Sequence, residues 1–290
     1  MPSFPIGVPA HQMPKDGLYR EFVEPPLGFT ILAFDVEQQE TGLMTWYSQD
    51  ARLLKLWREG INIHAFTAAE ISGLPYEDIV VGKDSKVPQM AVTYKAGKVT
   101  DLGKNYRMGH KGYDDRKGVH HYATLYKNAH EKWALTPTED EVFHWGATWE
   151  AAYRGVPIQW GKFIHIARKF GYAETLAGNK FYIDMWGKYK WSSASSAIMV
   201  PIQGSGADMK HLAIAVIRRK FPELIWWQDI HDEIMYIYPS HKDCIEMAVR
   251  VKQCLDNLPY FAAWGWQPNI DFSWSASYGS NWGALRGVKI

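Results

Sequence analysis

Apolar positions along the chain fall into two regimes. Near both ends they come as short, dense runs of β-branched and aromatic residues, and across the middle they recur every three or four residues. Gly28 to Asp35 (GFTILAFD) is of the first kind and predicts a buried strand that ends on a carboxylate. Pro222 to Pro239 predicts two apolar strands joined at Ile230-His231-Asp232, and Asn269 to Tyr278 alternates as a last strand. Between these runs, Glu40 to Gly60 places Leu43, Trp46, Tyr47, Leu53, Leu54 and Trp57 near helical spacing, with a break and a new N-cap around Ser48 to Asp50. Further helices are predicted over His64–Gly73, Tyr94–Arg107, Asp115–Trp133, Pro157–Phe170, Gln203–Lys220 and Lys242–Leu258. Thr136-Pro137-Thr138-Glu139 reads as a capping box with proline at the first helical position, opening a helix to about Arg154. The segment YAETLAGNKFYID suggests a small hairpin turning at Gly178-Asn179, and the proline-rich first 26 residues an irregular lead-in. There is no internal repeat. The plan is α+β, with a β-rich core drawn from both ends of the chain and a helical insertion from about 45 to 190.

Composition narrows the partners. The chain has 290 residues, 47% of them hydrophobic and 22% charged, which excludes wholesale disorder. Lys and Arg number 32 against 31 Asp and Glu, so no global field gathers nucleic acid or anionic membrane, and any basic surface is local. Cys244 and Cys254 lie ten apart with no CxxC spacing or histidine cluster, so neither a zinc site nor a disulfide framework is indicated, and a reducing compartment fits. No apolar run approaches the roughly 18 residues of a membrane span, and the start MPSFPIGVPAHQMPKDG lacks a signal-peptide core. The expectation is a soluble, cytoplasmic protein with no membrane partner.

Asp35 and Asp232, each presented by β structure beside a turn, suit divalent cations; two Mg²⁺ about 4 Å apart can activate an attacking oxygen and stabilise a leaving one at phosphorus. A helix-capping Asp35 and a turn-forming Asp232 account for the same residues without any metal. Lys98, Leu102 and Tyr106 follow at i, i+4 and i+8, with Tyr94 one turn earlier, and such a face could hold a triphosphate and a base. A solvated lysine beside core aromatics is the plainer account. Gly103 costs helix stability and hints at a close approach there. His64 at a helix start is more often a structural residue than a proton or phosphate contact, whereas Gln203 at another reads equally as a polar N-terminal turn or as a contact to a base edge or backbone.

Taken in order, these segments resemble the polymerase domain of family A DNA polymerases, the group of bacterial repair polymerases and podophage replicases. FDVEQQE resembles the family's first motif, close to DYSQIELR, and REGINIHAFTAAE resembles its sequel. The resemblance puts Asp35 on the metal-binding aspartate, with Val36 as a further metal position, Glu40 on the glutamate that excludes a ribose 2′-hydroxyl, and His64 on a triphosphate contact. YKAGKVTDLGKNYRMG resembles the fingers-helix motif R-x3-K-x7-YG, which implies that Lys98 binds phosphate, Tyr106 stands at the nascent base pair, and Tyr94 and Leu102 face the nucleotide. PIQGSGAD and IHDEI resemble the template-primer element and the third motif, implying DNA contacts for Gln203 and His231, metal binding by Asp232 and a supporting catalytic carboxylate in Glu233. Gly103, and Lys180 in the hairpin, join the DNA-binding set. SYGSNWGAL resembles the family's C-terminal G-x-N-W segment.

The chain departs from the pattern at Val36, Glu37 and Gly42, at Tyr94 where arginine is usual, at Arg107, at Asn179-Lys180 in place of an arginine pair, and at Met199. With Tyr94 in place of arginine, one phosphate contact is either lost or moved to Lys95. The resemblance implies an antiparallel palm sheet (1–45 and 191–290) with helical fingers (46–190), without thumb or exonuclease domain. It further implies a DNA-directed DNA polymerase that uses two Mg²⁺, with Mn²⁺ able to substitute, and binds primer-template DNA and dNTPs. A separate polypeptide would bring the thumb or exonuclease, in the cytoplasm, or the host cytoplasm if viral. The rivals are a non-catalytic nucleic-acid-binding scaffold, which would bind without chemistry, and a two-metal nuclease, which would degrade primer without dNTPs.

Overall fold

The computed structural model describes residues 18–84, 87–109, 124–187 and 190–288. In chain order the elements are β1 (Phe29–Val36), α1 (Gln39–Ser48), α2 (Ala51–Arg58), α3 (Ile63–Ser72), α4 (Tyr76–Asp84), α5 (Pro88–Asn105), α6 (Thr124–Glu131), α7 (Glu139–Ala152) and α8 (Gly155–Phe170). There follow the hairpin β2 (Tyr172–Glu174) and β3 (Lys180–Tyr182), α9 (Lys190–Met199), a π-helical turn (Val200–Gly204) and α10 (Ser205–Lys220). The chain then gives β4 (Ile225–Ile230), β5 (Glu233–Pro239), α11 (Cys244–Leu255), α12 (Tyr260–Trp264), β6 (Trp274–Gly279) and β7 (Arg286–Gly287). These group into two compact units, one drawn from residues 1–39, 206–267 and 271–290, the other from 40–205 and 268–270.

The first unit is built on an antiparallel sheet of order β4-β5-β1-β6-β7. The central strand β1 runs against β5 from Phe29 opposite Pro239 to Phe34 opposite Ile234, and against β6 from Ile31 opposite Gly279 to Val36 opposite Trp274. Buried on both faces, it reads as a continuous apolar run, with Ile31, Leu32 and Phe34 wholly inaccessible. One face gathers Ile31, Ala33, Met235, Ile237 and Trp282, and α11, capped by Asp243, packs on β1 and β6.

Among its described residues the second unit is helical apart from the hairpin. Its caps follow from local chemistry: the Asp50 carboxylate accepts from the amides of Arg52 and Leu53 at the start of α2, and Asn62 from Ala65 at the start of α3. The capping box lies two residues beyond the position predicted. Thr138 is the cap and Glu141 its partner, because Pro137 precedes the helix and Glu139, Asp140 and Glu141 fill the first turn, where the helix dipole favours negative charge. The long helix α5 begins at Pro88, six residues before its predicted start, since proline suits a first helical position. Helices α4 and α9 also form where no element was predicted, and the last strand is shorter than expected, starting at Trp274. Of the helix predicted over 115–133, residues up to 123 lie outside the described ones, as does most of the lead-in.

One carboxylate ties three of these helices. Asp101 of α5, 1% exposed, is 2.7 Å from His64 Nδ1 of α3 and accepts from Thr67 Oγ1 of α3 at 2.8 Å and from Trp149 Nε1 of α7 at 2.7 Å. Gly97 lets α5 cross α3 closely, since a Cβ there would run into the His64 carbonyl oxygen and Ala68. Burial, with the Asp101 charge next in importance, raises the pKa of the neighbouring Tyr153 hydroxyl far above its usual value. One helical turn beyond, the buried Lys104 ammonium pairs with Glu150 and donates to the Met108 carbonyl at 3.1 Å.

Two predictions follow from these buried charges. Asp101→Ala strands three polar side chains and should cost about 3 kcal/mol of stability in urea denaturation, whereas Asp101→Asn, which keeps an acceptor oxygen for Thr67 and Trp149, should cost clearly less. Equal losses would refute the network. Burial lowers the Lys104 pKa below its usual 10.5, against the opposing pull of Glu150. In the window just under 10.5 the unfolded chain therefore binds more protons, and this group makes stability rise with pH. Lys104→Met should remove that rise in paired denaturation curves taken through the window just under pH 10.5.

Candidate active site

The candidate residues divide between the two units. In the sheet unit, Phe34 opposite Ile234 is the last paired position of β1 and β5, so Asp35 and Glu233 follow it on neighbouring strands. Side chains alternate along a strand, which puts Asp35 on the face of Ile31 and Ala33, and Glu233 on the face of Met235 and Ile237. Those four apolar residues share one cluster, so the two carboxylates stand on the same face, at its end. Ile230 pairs with Glu233, which leaves His231 and Asp232 as a two-residue turn; His231 has φ +55°, the left-handed conformation such turns require. Both turn residues are exposed.

Lys210, which the sequence pattern does not single out, and Trp282 of the G-x-N-W segment hold this end of the sheet. Lys210 of α10 donates to the His231 carbonyl at 2.9 Å and to the Asp229 carboxylate at 2.6 Å, tying the end of β4 to the turn residue just before Asp232. Trp282 donates its indole N–H to Glu233 Oε2 at 3.2 Å, while the Arg20 guanidinium covers the indole ring at 3.8 Å from its centroid. Burial and the Asp229 charge push the Tyr236 hydroxyl on β5 up to about 12, so it stays neutral.

Oxygen donors are what a hard divalent ion prefers, and Mg²⁺ is commonly bound by one or two carboxylates with water and substrate phosphate completing the shell. The Asp35 and Asp232 carboxylates and the Val36 backbone carbonyl fit that donor set; the valine side chain offers nothing to a metal. Among the described residues no three His, Cys, Asp or Glu side chains converge into a ready cage, and a site that counts on phosphate and water needs none.

In the helical unit, α5 turns Ala96, Val99, Thr100 and Asp101 inward and leaves Tyr94, Lys98, Leu102 and Tyr106 partly exposed along one stripe. Lys98 Nζ lies 5.9 Å from the Trp133 ring centroid. Tyr94 meets His64 edge-on at 6.5 Å between centroids and has Lys83 of α4 5.4 Å over its ring. Tyr106 ends the helix as its C-cap, and Gly103 lies buried, where a Cβ would crowd Leu125 and Met108. Glu40 sits in the first turn of α1, which is fixed to α5 by Asn105 donating to Thr41 at 3.1 Å. Gln203, in the π-helical turn, donates to Glu40 Oε1 at 3.4 Å. Gly204 there admits Thr175 of the hairpin loop, and the Ser205 hydroxyl accepts from the Leu176 amide. The structure thus brings together His64 with Tyr94 and Glu40 with Gln203. Lys180 stands apart on the exposed hairpin, its ammonium 4.7 Å over the Tyr172 ring.

Asp101 and Gly97 were the other residues missed. Their signal was a carboxylate and a glycine on the inward side of a helix whose outward stripe drew the attention.

Known proteins resemble the chain over most of its length. The chain is 25% identical over 264 residues to DNA polymerase I of Pseudomonas aeruginosa, covering 89% of this chain and 25% of that protein. It is likewise 25% identical over 263 residues to the thermostable DNA polymerase I of Thermus thermophilus, covering 88% and 27%. The chain therefore spans about a quarter of the length of the curated relatives it matches. In fold it resembles the POL domain of Pol1 from M. smegmatis, solved in complex with DNA primer-template and dNTP, with a TM-score of 0.69, 19% identity, and coverage of 91% of this chain and 41% of that one. The model of DNA polymerase family A matches residues 7–284, and the chain belongs to that family.

Proposed function

We propose that the chain carries the palm and fingers of a DNA-directed DNA polymerase and extends a primer on a DNA template from dNTPs. The observation that carries this reading is the carboxylate pair Asp35 and Glu233 at one end of the central strands, with Asp232 heading the adjoining turn, in a chain of this family. In the reaction the primer 3′-hydroxyl oxygen attacks the α-phosphorus of the dNTP. A new P–O bond forms, the α–β bridge breaks, pyrophosphate leaves and the hydroxyl proton passes to water.

Asp35, Asp232 and the Val36 carbonyl would hold the divalent ions, Mg²⁺ in the first instance. When bound there, these supply Lewis-acid activation of the hydroxyl and neutralise phosphate charge. Glu233, held by Trp282, supports the pair. Lys98 and His64 offset charge on the leaving pyrophosphate, and the Asp101 contact at Nδ1 fixes the orientation of the His64 ring. Glu40, Tyr94, Leu102 and Tyr106 shape the nucleotide pocket, while Gln203, His231, Gly103 and Lys180 contact DNA. The near balance of 32 basic and 31 acidic residues supports the finer reading that a thumb-bearing polypeptide supplies most of the grip on duplex DNA, where phosphate contacts dominate affinity.

The test is extension of a labelled primer with Mg²⁺ and dNTPs. Asp232→Asn should lower the rate by about 10³-fold or more with binding of primer-template little changed. Extension that survives this substitution sinks the assignment, and so does primer degradation without dNTPs. Lys210→Met, which frees the turn carrying Asp232, should lower kcat by about tenfold while leaving KM for dNTP near its original value, with Lys210→Arg recovering part of the loss.

A further inference from the structure

The hairpin β2–β3 and the end of α8 that leads into it expose a row of aromatic rings for which the proposed polymerase chemistry has no use. Phe170, the last residue of α8, is 53% exposed and Tyr182 is 85% exposed. Phe170 and Tyr172 lie 6.0 Å apart between ring centroids, and Tyr172 and Tyr182, direct partners across the hairpin, 6.2 Å. Lys180, two residues from Tyr182 on the same face, holds its ammonium over the Tyr172 ring, and Lys169 holds its own 5.1 Å over Phe170.

Charge around the row is mainly positive. Helix α8 carries Lys162, Arg168 and Lys169 and no acidic residue. Of the two carboxylates in the hairpin segment, that of Asp184 is engaged with the amides of Trp186 and Gly187. Exposed rings alternating with cations are what an unpaired polynucleotide meets best, because every base has a π-face and every linkage an anionic phosphate. Rings about 6 Å apart space bases at nearly twice the roughly 3.4 Å rise per nucleotide of a duplex strand, so they suit a splayed single strand and not a stacked helix.

We propose that Phe170, Tyr172 and Tyr182 form a stacking platform for single-stranded nucleic acid. Bases rest on Phe170, Tyr172 and Tyr182 in turn, while Lys180 and Lys169 meet the phosphates between them. The platform extends the DNA contact proposed for Lys180 to a surface with its own geometry, and it does not depend on the transfer reaction.

The experiment uses the whole chain and fluorescence anisotropy of a labelled 12-nucleotide oligothymidylate, in EDTA and without dNTPs, so that no catalysis enters. Phe170→Ala and Tyr182→Ala should each weaken binding by about tenfold, and Tyr182→Trp should restore it. Lys180→Gln should reduce the salt slope of log affinity by about one. Circular dichroism and the melting temperature should stay native in each variant, since the rings replaced are exposed. If the Phe170→Ala/Tyr182→Ala double variant binds the oligonucleotide as the original chain does, the platform is refuted. It falls equally if that variant loses self-association in sedimentation with oligonucleotide affinity unchanged, which would make the row an interface between copies. Asp232→Asn should leave this binding intact, so failure of the platform and failure of the polymerase reading are read separately.

Discussion

The helical unit turns on the buried carboxylate of Asp101. A carboxyl group removed from water is costly unless nearly every lone pair is used, and here His64, Thr67 and Trp149 converge on its two oxygens from two other helices. The arrangement works in both directions. The three donors keep the charge tolerable, and the charge in turn fixes the spacing of α3, α5 and α7 more tightly than apolar contact would, since hydrogen bonds lose their strength within a few tenths of an ångström. Gly97 is its steric precondition, because only a residue without Cβ lets the α3 backbone pass near enough. The outward stripe Tyr94–Lys98–Leu102–Tyr106 is therefore presented by a helix whose rotation about its own axis is set from behind.

The sheet unit solves the same positioning problem with register. A one-residue slip of β1 against β5 would move Asp35 from the face of Ile31 and Ala33 to that of Leu32 and Phe34, away from Glu233, so the pairing register of β1 with β5 specifies the carboxylate's direction. Asp232 has no such protection in an exposed two-residue turn. Its place depends on Lys210, which bonds the carbonyl just before it, and on the closure of the hairpin by Glu233, itself held by Trp282. Two carboxylates of like chemistry are thus held by different means, one by packing and one by hydrogen bonds.

These differences explain what could be read from the sequence. Dense β-branched runs such as FTILAF and a two-residue gap before DEIMYIYP report backbone structure directly, and α1, α2, α3 and α8 announce themselves by apolar spacing and by caps at Asp50, Gly73 and Gly171. Helix α9 did not, because serine signals caps and turns, and in Ser192–Ser196 tertiary burial of Ala194, Ala197 and Ile198 overrides that preference. The candidate aspartates were legible because they interrupt apolar strands. Asp101, Lys104 and Lys210 were not, since a charged residue within a helix looks solvated until the partner from a distant segment is in place. Glu150 lies 46 residues from Lys104, and Asp101 37 from His64.

The departure at Tyr94 takes on physical meaning in this setting. An aromatic ring there packs edge-on against His64 and accepts the Lys83 ammonium on its face, so α4 adds a cation at this end of the stripe to Lys95 and Lys98 of α5. A guanidinium would present a planar fork able to grip a phosphate in two places, whereas an ammonium on a neighbouring short helix is a point charge with more freedom. The geometric precision at that end then falls to His64, whose ring is fixed through Asp101. On the proposed function, the residue at this position of the outward stripe gives the inward network a share in holding the nucleotide, through the carboxylate that organises the fold of the helical unit.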